Sequence, residues 1–186
     1  MRERWSIILF LLFTANIAFA DNNLDSILIR LDQTILRHEI YKNAREARIR
    51  VLKEKTVNAA PVSLAAYQLN DSIFREYKSY MCDSAVHYLN KNVEIARKLH
   101  DREREYKSIF LLSSLLATAG MYQEAVDLLG EIRRDQLPLS LIQDYYACKE
   151  HVYKEISGNS REPQSIRRYA DLALAYRDSL FRILPE

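Results

Sequence analysis

The hydrophobic pattern of residues 106–132 predicts two antiparallel helices joined by a tight turn. Apolar residues recur at steps of three and four in each half of this segment, so each half has one face to bury. These residues are Ile109, Leu112, Leu116, Ala119, Tyr122, Ala125, Val126 and Leu129. Gly120 lies between the halves, where glycine adopts the left-handed conformation that ends a helix at little cost. The segment is therefore expected to be a helical hairpin.

Similar stripes predict one further hairpin on either side of the central one. A long helix over residues 21–56 is expected before them, because neither glycine nor proline occurs between this helix's start and Pro61. This order of predicted helices implies an all-α chain in which a long helix precedes a stack of antiparallel hairpins. The repeat region covers residues 62–184, with hairpins at about residues 62–100, 103–134 and 140–184.

Alanines mark the positions where the two helices of each hairpin cross. Ala85, Ala125 and Ala170 occupy equivalent places in the three hairpins, where a large side chain would hold the backbones apart. We expect Ala125→Leu to cost about 1–3 kcal/mol of stability. Ala117 is expected on the opposite face of its helix, so Ala117→Leu should cost less.

The long N-terminal helix carries an apolar stripe of its own, formed by Ile27, Leu28, Leu31 and Ile35. A dimeric coiled coil is one possible use of such a stripe. The heptad counted from Leu24 disfavours it, because the same count places His38, Lys42 and Arg45 in the seam. We therefore expect the long helix to pack onto the first hairpin.

The first twenty residues are typical of a secretory signal peptide. Arg2 and Arg4 precede an apolar run, and Ala18 and Ala20 form a small-x-small cleavage site. The alternative is an uncleaved membrane anchor. The run over residues 6–20 is only 15 residues long, whereas a membrane span requires roughly 20. We therefore expect export, most simply to the periplasm, with Asp21 as the first residue after cleavage.

Composition supports a helical protein and excludes several classes of site. The chain of 186 residues contains only three glycines, and none of them forms a phosphate-binding loop. The formal net charge is +2, which gives little attraction for nucleic acid. The four histidines are scattered and form no metal motif, so no cofactor or metal is expected. Cys82 and Cys148 fall two hairpins apart, and we expect them to be unpaired, small apolar side chains.

The central hairpin resembles a tetratricopeptide (TPR) unit, because a leucine-rich helix is followed by Ala-Gly-x-Tyr-x-Glu-Ala at residues 119–125. The alanine spacings of 40 and 45 residues exceed the usual 34, so the repeat is divergent. This resemblance implies a right-handed, TPR-like α-solenoid. It also implies a protein or peptide partner.

A nearer resemblance covers the whole chain. The order of segments is similar to the exported N-terminal region of certain membrane-anchored bacterial proteins with a putative regulatory role. The segments that carry it are the signal peptide and residues 24–28, 46–49, 74–77, 83–85 and 175–180. The resemblance implies a sensor or scaffold role outside the cytoplasm. This chain stops at Glu186, before the membrane helix of those proteins, which indicates a shortened member or a fragment.

The first helices of the hairpins should line the concave binding face of such a stack. We predict that this face binds a protein or peptide, and that exposed aromatic residues contribute to it. The alternative, that neighbouring helices cover these aromatic residues, stays open. The predicted members are Tyr67, Phe74, Lys78, Phe110, Ser114 and His151.

The end of the last helix predicts a second contact surface. Phe181 and Leu184 turn away from the inward stripe, and a terminal repeat has no neighbour to cover them. We expect this end to be covered by a second copy of the chain, by another protein, or by the segment that longer relatives possess. Two other functions remain open. One is a self-associating structural protein, and the other is an enzyme with an unrecognised site, for example one acting on cell-wall glycans.

Overall fold

The structure is a computed structural model that describes residues 2–183, with side chains from residue 24 onward. The expected signal peptide at residues 1–20 therefore lies outside the part with described side chains. Leu184, one of the two predicted end-face residues, also lies outside the described residues. Within that part, none of the helices combines the length and apolar character needed to cross a membrane.

The described residues form seven α-helices and two 3-10 turns, and no strand occurs among them. This confirms the all-α fold class. The helices are α1 (Arg2–Val57), α2 (Leu64–Tyr77), α3 (Cys82–Lys98), α4 (Arg102–Thr118), α5 (Tyr122–Gly130), α6 (Ile142–Asn159) and α7 (Pro163–Phe181). The 3-10 turns, Arg134–Gln136 and Leu139–Leu141, lie between α5 and α6.

The chain divides into two units, Met1–Arg48 and Ile49–Glu186. The first unit is a stretch of α1 whose described apolar side chains are exposed. Ile27 and Leu31 expose 53% and 52% of their surface, for example.

In the second unit, the helices pack in sequential pairs. The hairpins are α2 with α3, α4 with α5, and α6 with α7. Helices α3 and α5 also pack on the first helix of the next hairpin. The first helices α4 and α6 contact each other directly. The core between these layers is apolar, and its most deeply buried large side chains are Ile49, Ile73, Leu89, Leu129, Leu141 and Val152.

The turn after α4 has the predicted geometry. Gly120 has φ = +84°, so it takes the left-handed conformation. Its N–H donates to the Ala117 carbonyl at 3.0 Å, and the Met121 N–H donates to the Leu116 carbonyl at 2.9 Å. This pair of bonds is the Schellman motif, which satisfies carbonyls that a helix end leaves unpaired.

The helices of the second unit begin in two ways, with and without a capping side chain. Ser63 caps α2 by accepting from the Ala66 N–H at 3.1 Å. Asp101 caps α4 by accepting from the Arg104 N–H at 3.0 Å, and this bond lowers the pKa of the Asp101 carboxyl. By contrast, α3 and α6 begin after Met81 and Leu141, neither of which has a side chain that can cap.

The burial of four alanines tests the helix faces predicted from the sequence. Ala85 and Ala125 are fully buried, as expected for crossing positions. In the third hairpin, however, Ala173 rather than Ala170 is the buried alanine of α7. The assignment of Ala117 to an open face is wrong, because Ala117 is also fully buried. Helix α4 packs against α3, α5 and α6, so little of its circumference stays open.

Candidate functional site

A cavity of about 380 Å³ opens between the first helices of the second and third hairpins. We call this cavity the groove. The groove is lined mostly by apolar atoms, and its charged lining residues are one lysine and one aspartate. The lining residues are Lys107, Phe110, Leu111 and Ser114 of α4, and Asp144, Ala147 and Cys148 of α6.

The spacing of the lining residues follows from helix geometry. On α4 the groove residues and Thr118 recur at steps of three and four, which places them on one side of the helix. Asp144, Ala147, Cys148 and His151 do the same on α6. Two adjacent first helices therefore present one row each, and the small side chains of Ser114 and Ala147 leave the space between the rows unfilled.

Three polar contacts join α4 and α6 beside the groove. Ser114 Oγ lies 3.4 Å from Cys148 Sγ, and Cys148 Sγ–H donates to the Phe110 carbonyl at 3.3 Å. One turn further along, Thr118 Oγ1 lies 3.1 Å from His151 Nε2. The Thr118 hydroxyl donates to the Ser114 carbonyl at 3.0 Å, so His151 Nε2 is the donor to Thr118.

Burial raises the pKa of the Cys148 thiol to about 11. The thiol therefore stays protonated at neutral pH and lacks the thiolate character of a nucleophilic cysteine. Cys82 and Cys148 are both free. Cys148 is buried as expected, whereas Cys82, at the start of α3, is only half-buried.

Lys107 and Asp144 give the mouth of the groove its charges. Lys107 Nζ lies 2.7 Å from Glu103 Oε1, and this hydrogen bond raises the pKa of the Lys107 amine. The negative charge of the nearby Asp144 carboxylate also raises that pKa. An apolar floor with both signs of charge at its edge suits a peptide side chain better than a free ion.

A cluster of tyrosines supports the floor of the groove. The Phe110 and Tyr145 ring centroids lie 6.1 Å apart, and Tyr145 also contacts Tyr146 and Tyr176. The Lys149 amine lies 5.6 Å from the centre of the Tyr145 ring and 5.9 Å from that of Tyr176. Burial lowers the pKa of Lys149, while the facing rings attract its charged form. These contacts hold α6 against α7 behind the groove.

The first and second hairpins meet through a different contact, which we call the tyrosine bridge. Tyr67 of α2 places its hydroxyl 3.0 Å from Ser108 Oγ of α4. The Arg104 guanidinium lies 5.9 Å from the centre of the Tyr67 ring. Burial raises the pKa of the Tyr67 hydroxyl, and the contact with Ser108 partly opposes that effect.

The structure brings some of the six predicted binding residues together and separates others. Phe110 and Ser114 line the groove, and His151 is held beside it by Thr118. Tyr67 belongs to the tyrosine bridge, and Lys78 is an exposed residue at the end of α2.

Phe74 and Phe110 correct the expectation of exposed aromatic residues. Each exposes only 5% of its surface. The Phe110 ring contacts Tyr145 of the next hairpin, and Phe74 lies in the apolar core. Phe74 is part of the core, whereas Phe110 reaches the groove with one edge. Of the two predicted end-face residues, Phe181 is 64% exposed, and Leu184 lies outside the described residues.

The sequence reasoning missed Lys107, Leu111, Asp144, Ala147 and Cys148 as lining residues. A signal for the first two was present, because Lys107 lies three residues before the predicted residue Phe110 and Leu111 lies three residues before the predicted residue Ser114. No such spacing identified Ala147. A small side chain lines a cavity because it does not fill the space, and the sequence alone does not show which space stays unfilled.

The fold and the groove define a tetratricopeptide-type helical repeat protein. Comparison of sequences supports this class and narrows it. The sequence model of the SusR N-terminal TPR domain matches residues 35–186. The chain therefore belongs to the SusR N-terminal TPR domain family. No curated protein and no solved structure matches the chain.

Proposed function

We propose that the chain is a non-enzymatic protein- or peptide-binding module that acts outside the cytoplasm as the sensor or scaffold part of a bacterial regulatory system. TPR-type repeat domains are in general interaction modules, which supports protein partners as a class. The groove is the observation that carries the proposal. It offers an apolar floor and two opposite charges between rigid helices.

The groove fits one apolar side chain of a bound peptide. A cavity of about 380 Å³ lies at the small end of the range for ligand sites. The hydroxyl of Ser114 lies on the α4 side of the groove and the ring of His151 lies beside it on α6, where both can bond to a peptide backbone. Because Phe110 and the tyrosine cluster fix the floor, binding requires little rearrangement of this part of the fold.

Filling the groove tests this proposal. Ala147 is exposed and lines the groove, so Ala147→Phe should occupy the space without disturbing the core. Ala65 is an exposed alanine of α2 outside the groove, and Ala65→Phe is the matched control. The purified variants serve as baits for the exported protein fraction. Ala147→Phe should lose the proteins that the wild type and Ala65→Phe both retain, and equal capture by all three would contradict the groove as the binding site.

Export itself is part of the proposal. The basic residues, apolar run and small-x-small site of residues 1–20 support it. Mass spectrometry of the protein from its producing cells should show Asp21 as the first residue. An intact N-terminus on membrane-bound protein would instead favour an anchor.

A second candidate function is self-association through the end of the last hairpin. Phe181 is 64% exposed, and Leu139, in the turn before α6, is 91% exposed. A cavity of about 650 Å³ lies beside Leu139, and Ile183 forms part of its wall. We infer that this apolar end packs on a second copy of the chain. Light scattering should show weaker association for Phe181→Asp, and identical masses for the variant and wild type would exclude it.

A further inference from the structure

The two charges at the mouth of the groove are not equivalent. The Lys107 amine lies 2.7 Å from Glu103 Oε1, one turn away on the same helix. The Asp144 carboxylate is exposed, and no residue in the described part of the chain donates a hydrogen bond to it or forms an ion pair with it. The lysine charge therefore already has a partner within the protein, whereas the aspartate charge has none.

The charges around the mouth add up to a negative site. Glu103 and Asp144 each contribute one negative charge and Lys107 contributes one positive charge, which leaves one negative charge in excess when histidine is neutral. Asp144 lies in the first turn of α6, where the helix dipole favours a carboxylate. An open carboxylate at the edge of an apolar cavity attracts a partner that carries a cation next to an apolar group.

The position of Asp144 suits a long basic side chain. Ala147 and Cys148 follow it by three and four residues, so all three lie on the row of α6 that lines the groove. Leu111 of the facing helix α4 lines the same cavity and is 39% exposed. The aliphatic stem of a lysine or arginine can pack on Leu111 while the charged end reaches Asp144. Arginine suits this site best, because its guanidinium bonds to both oxygens of a carboxylate.

We propose that the groove binds a peptide segment in which a lysine or arginine lies within two residues of the apolar side chain that enters the cavity. This inference rests on the proposed function, to which it adds the charge of the partner and the residue that selects it. The apolar side chain occupies the space that Ser114 and Ala147 leave unfilled, and the cation pairs with Asp144. The cavity supplies contact area for any peptide, and Asp144 distinguishes basic peptides from acidic ones.

Peptide selection shows the charge of the partner without a known natural ligand. Random short peptides displayed on phage are selected on the purified mature protein and, in parallel, on Ala147→Phe, in which the groove is filled. Peptides that only the wild type retains should be enriched in lysine or arginine within two residues of an apolar position. Enrichment of acidic residues there, or no preference for charge, overturns this inference and leaves the groove as the binding site. Retention of the same peptides by Ala147→Phe instead contradicts the proposed function itself.

Asp83 supplies a matched control for Asp144. Both are exposed aspartates in the first turn of a helix that begins without a capping side chain, Asp83 in α3 and Asp144 in α6. The same substitution at either position therefore removes the same kind of interaction with a helix dipole. Of the two, only Asp144 lines the groove. Thermal unfolding should show similar midpoints for the two variants, so a difference in binding reports on the groove.

Fluorescence anisotropy with one selected basic peptide measures the role of Asp144. Asp144→Asn should raise the dissociation constant about three- to five-fold, as expected for an exposed ion pair, whereas Asp83→Asn should leave it unchanged. Added salt should weaken binding to the wild type and reduce its advantage over Asp144→Asn, because salt screens the exposed pair. Equal dissociation constants for the wild type and Asp144→Asn at low salt overturn the inference.

Exchange of charges tests the pairing directly. Replacing the lysine or arginine of the peptide by glutamate should weaken its binding to the wild type. Asp144→Lys should bind the basic peptide more weakly than the wild type does and the glutamate peptide more tightly, whereas Asp83→Lys should keep the wild-type preference. If Asp144→Lys also keeps that preference, the cation of the peptide does not meet Asp144, and the inference is overturned.

Discussion

The three first helices of the hairpins meet at two joints that differ in how their space is filled. Between α2 and α4, the Tyr67 side chain spans the joint and its hydroxyl reaches Ser108. Between α4 and α6, Ser114 and Ala147 are small, and a cavity of about 380 Å³ remains. Both joints belong to one repeat stack, and they differ in that a large side chain spans the first joint whereas small side chains line the second.

The joints also differ in what holds them. In the tyrosine bridge, the Tyr67 side chain contacts the Ser108 hydroxyl and the Arg104 guanidinium. The groove joint has weak sulfur contacts and one histidine at its surface, but the Phe110–Tyr145 contact lies behind it. The groove is therefore open in front and rigid behind, which is the arrangement that preorganises a binding surface.

The largest effect should come from removing the floor of the groove joint. Phe110 is 5% exposed, so Phe110→Ala should cost about 3–5 kcal/mol of unfolding free energy. Its neighbour Leu111 lines the same groove but is 39% exposed, and Leu111→Ala should cost about 1 kcal/mol or less. Urea unfolding of both variants measures the difference. Equal midpoints would show that Phe110 is a surface residue and that the floor lies elsewhere.

Alkaline pH should distinguish the tyrosines of the two joints. Burial raises the pKa of Tyr145 to about 12, and its tyrosine neighbours add to the effect. Between pH 10 and 12 the unfolded chain releases this proton while the folded chain keeps it, so stability falls as pH rises. The expected loss is about 1–2 kcal/mol over this range.

Tyr145→Phe should remove much of that alkaline loss, as measured by urea unfolding at pH 9 and 11. Tyr67→Phe should remove less, because the contact with Ser108 opposes the rise in the pKa of Tyr67. If both substitutions flatten the pH dependence equally, the two joints bury their tyrosines to the same extent.

The fold was largely readable from the sequence, since repeated apolar stripes and Gly120 specify hairpins through local geometry. Cap residues were less readable. Helices α3 and α6 begin without a capping side chain, so no cap residue in the sequence marks their starts. The prediction of which face is buried failed on α4. Ala117 and Phe110 lie off the main apolar stripe, but both are buried because α4 packs against α3, α5 and α6.

The site was readable only in part. Phe110, Ser114 and His151 were identified because they occupy regular positions on first helices. The groove itself depends on which side chains across α4 and α6 are small, and no single stretch of sequence contains that pairing. The same limit applies to the tyrosine bridge, which joins Tyr67 to Ser108 across 41 residues of chain.

A smaller effect should follow from weakening the closed joint. Tyr67→Phe removes the hydroxyl that contacts Ser108 but keeps the ring beside Arg104, so the expected cost is about 1 kcal/mol. Tyr41→Phe is the control, because Tyr41 is 70% exposed on α1 and its substitution should change stability by about 0.5 kcal/mol or less. Thermal unfolding monitored by circular dichroism compares them, and equal midpoints would mean that the bridge contributes no net stability.

The smallest effect should come from the histidine contact at the open joint. Thr118→Val keeps the shape of the side chain but removes the oxygen that accepts from His151 Nε2. Thr118 is exposed and His151 only half-buried, so water can replace the lost partner, and the expected change in unfolding free energy is about 0.5 kcal/mol or less. Urea unfolding of Thr118→Val beside Tyr67→Phe makes the measurement. A cost for Thr118→Val as large as that for Tyr67→Phe would show that the open joint is tied as firmly as the closed one, and that the groove is held rigid from its front as well as from behind.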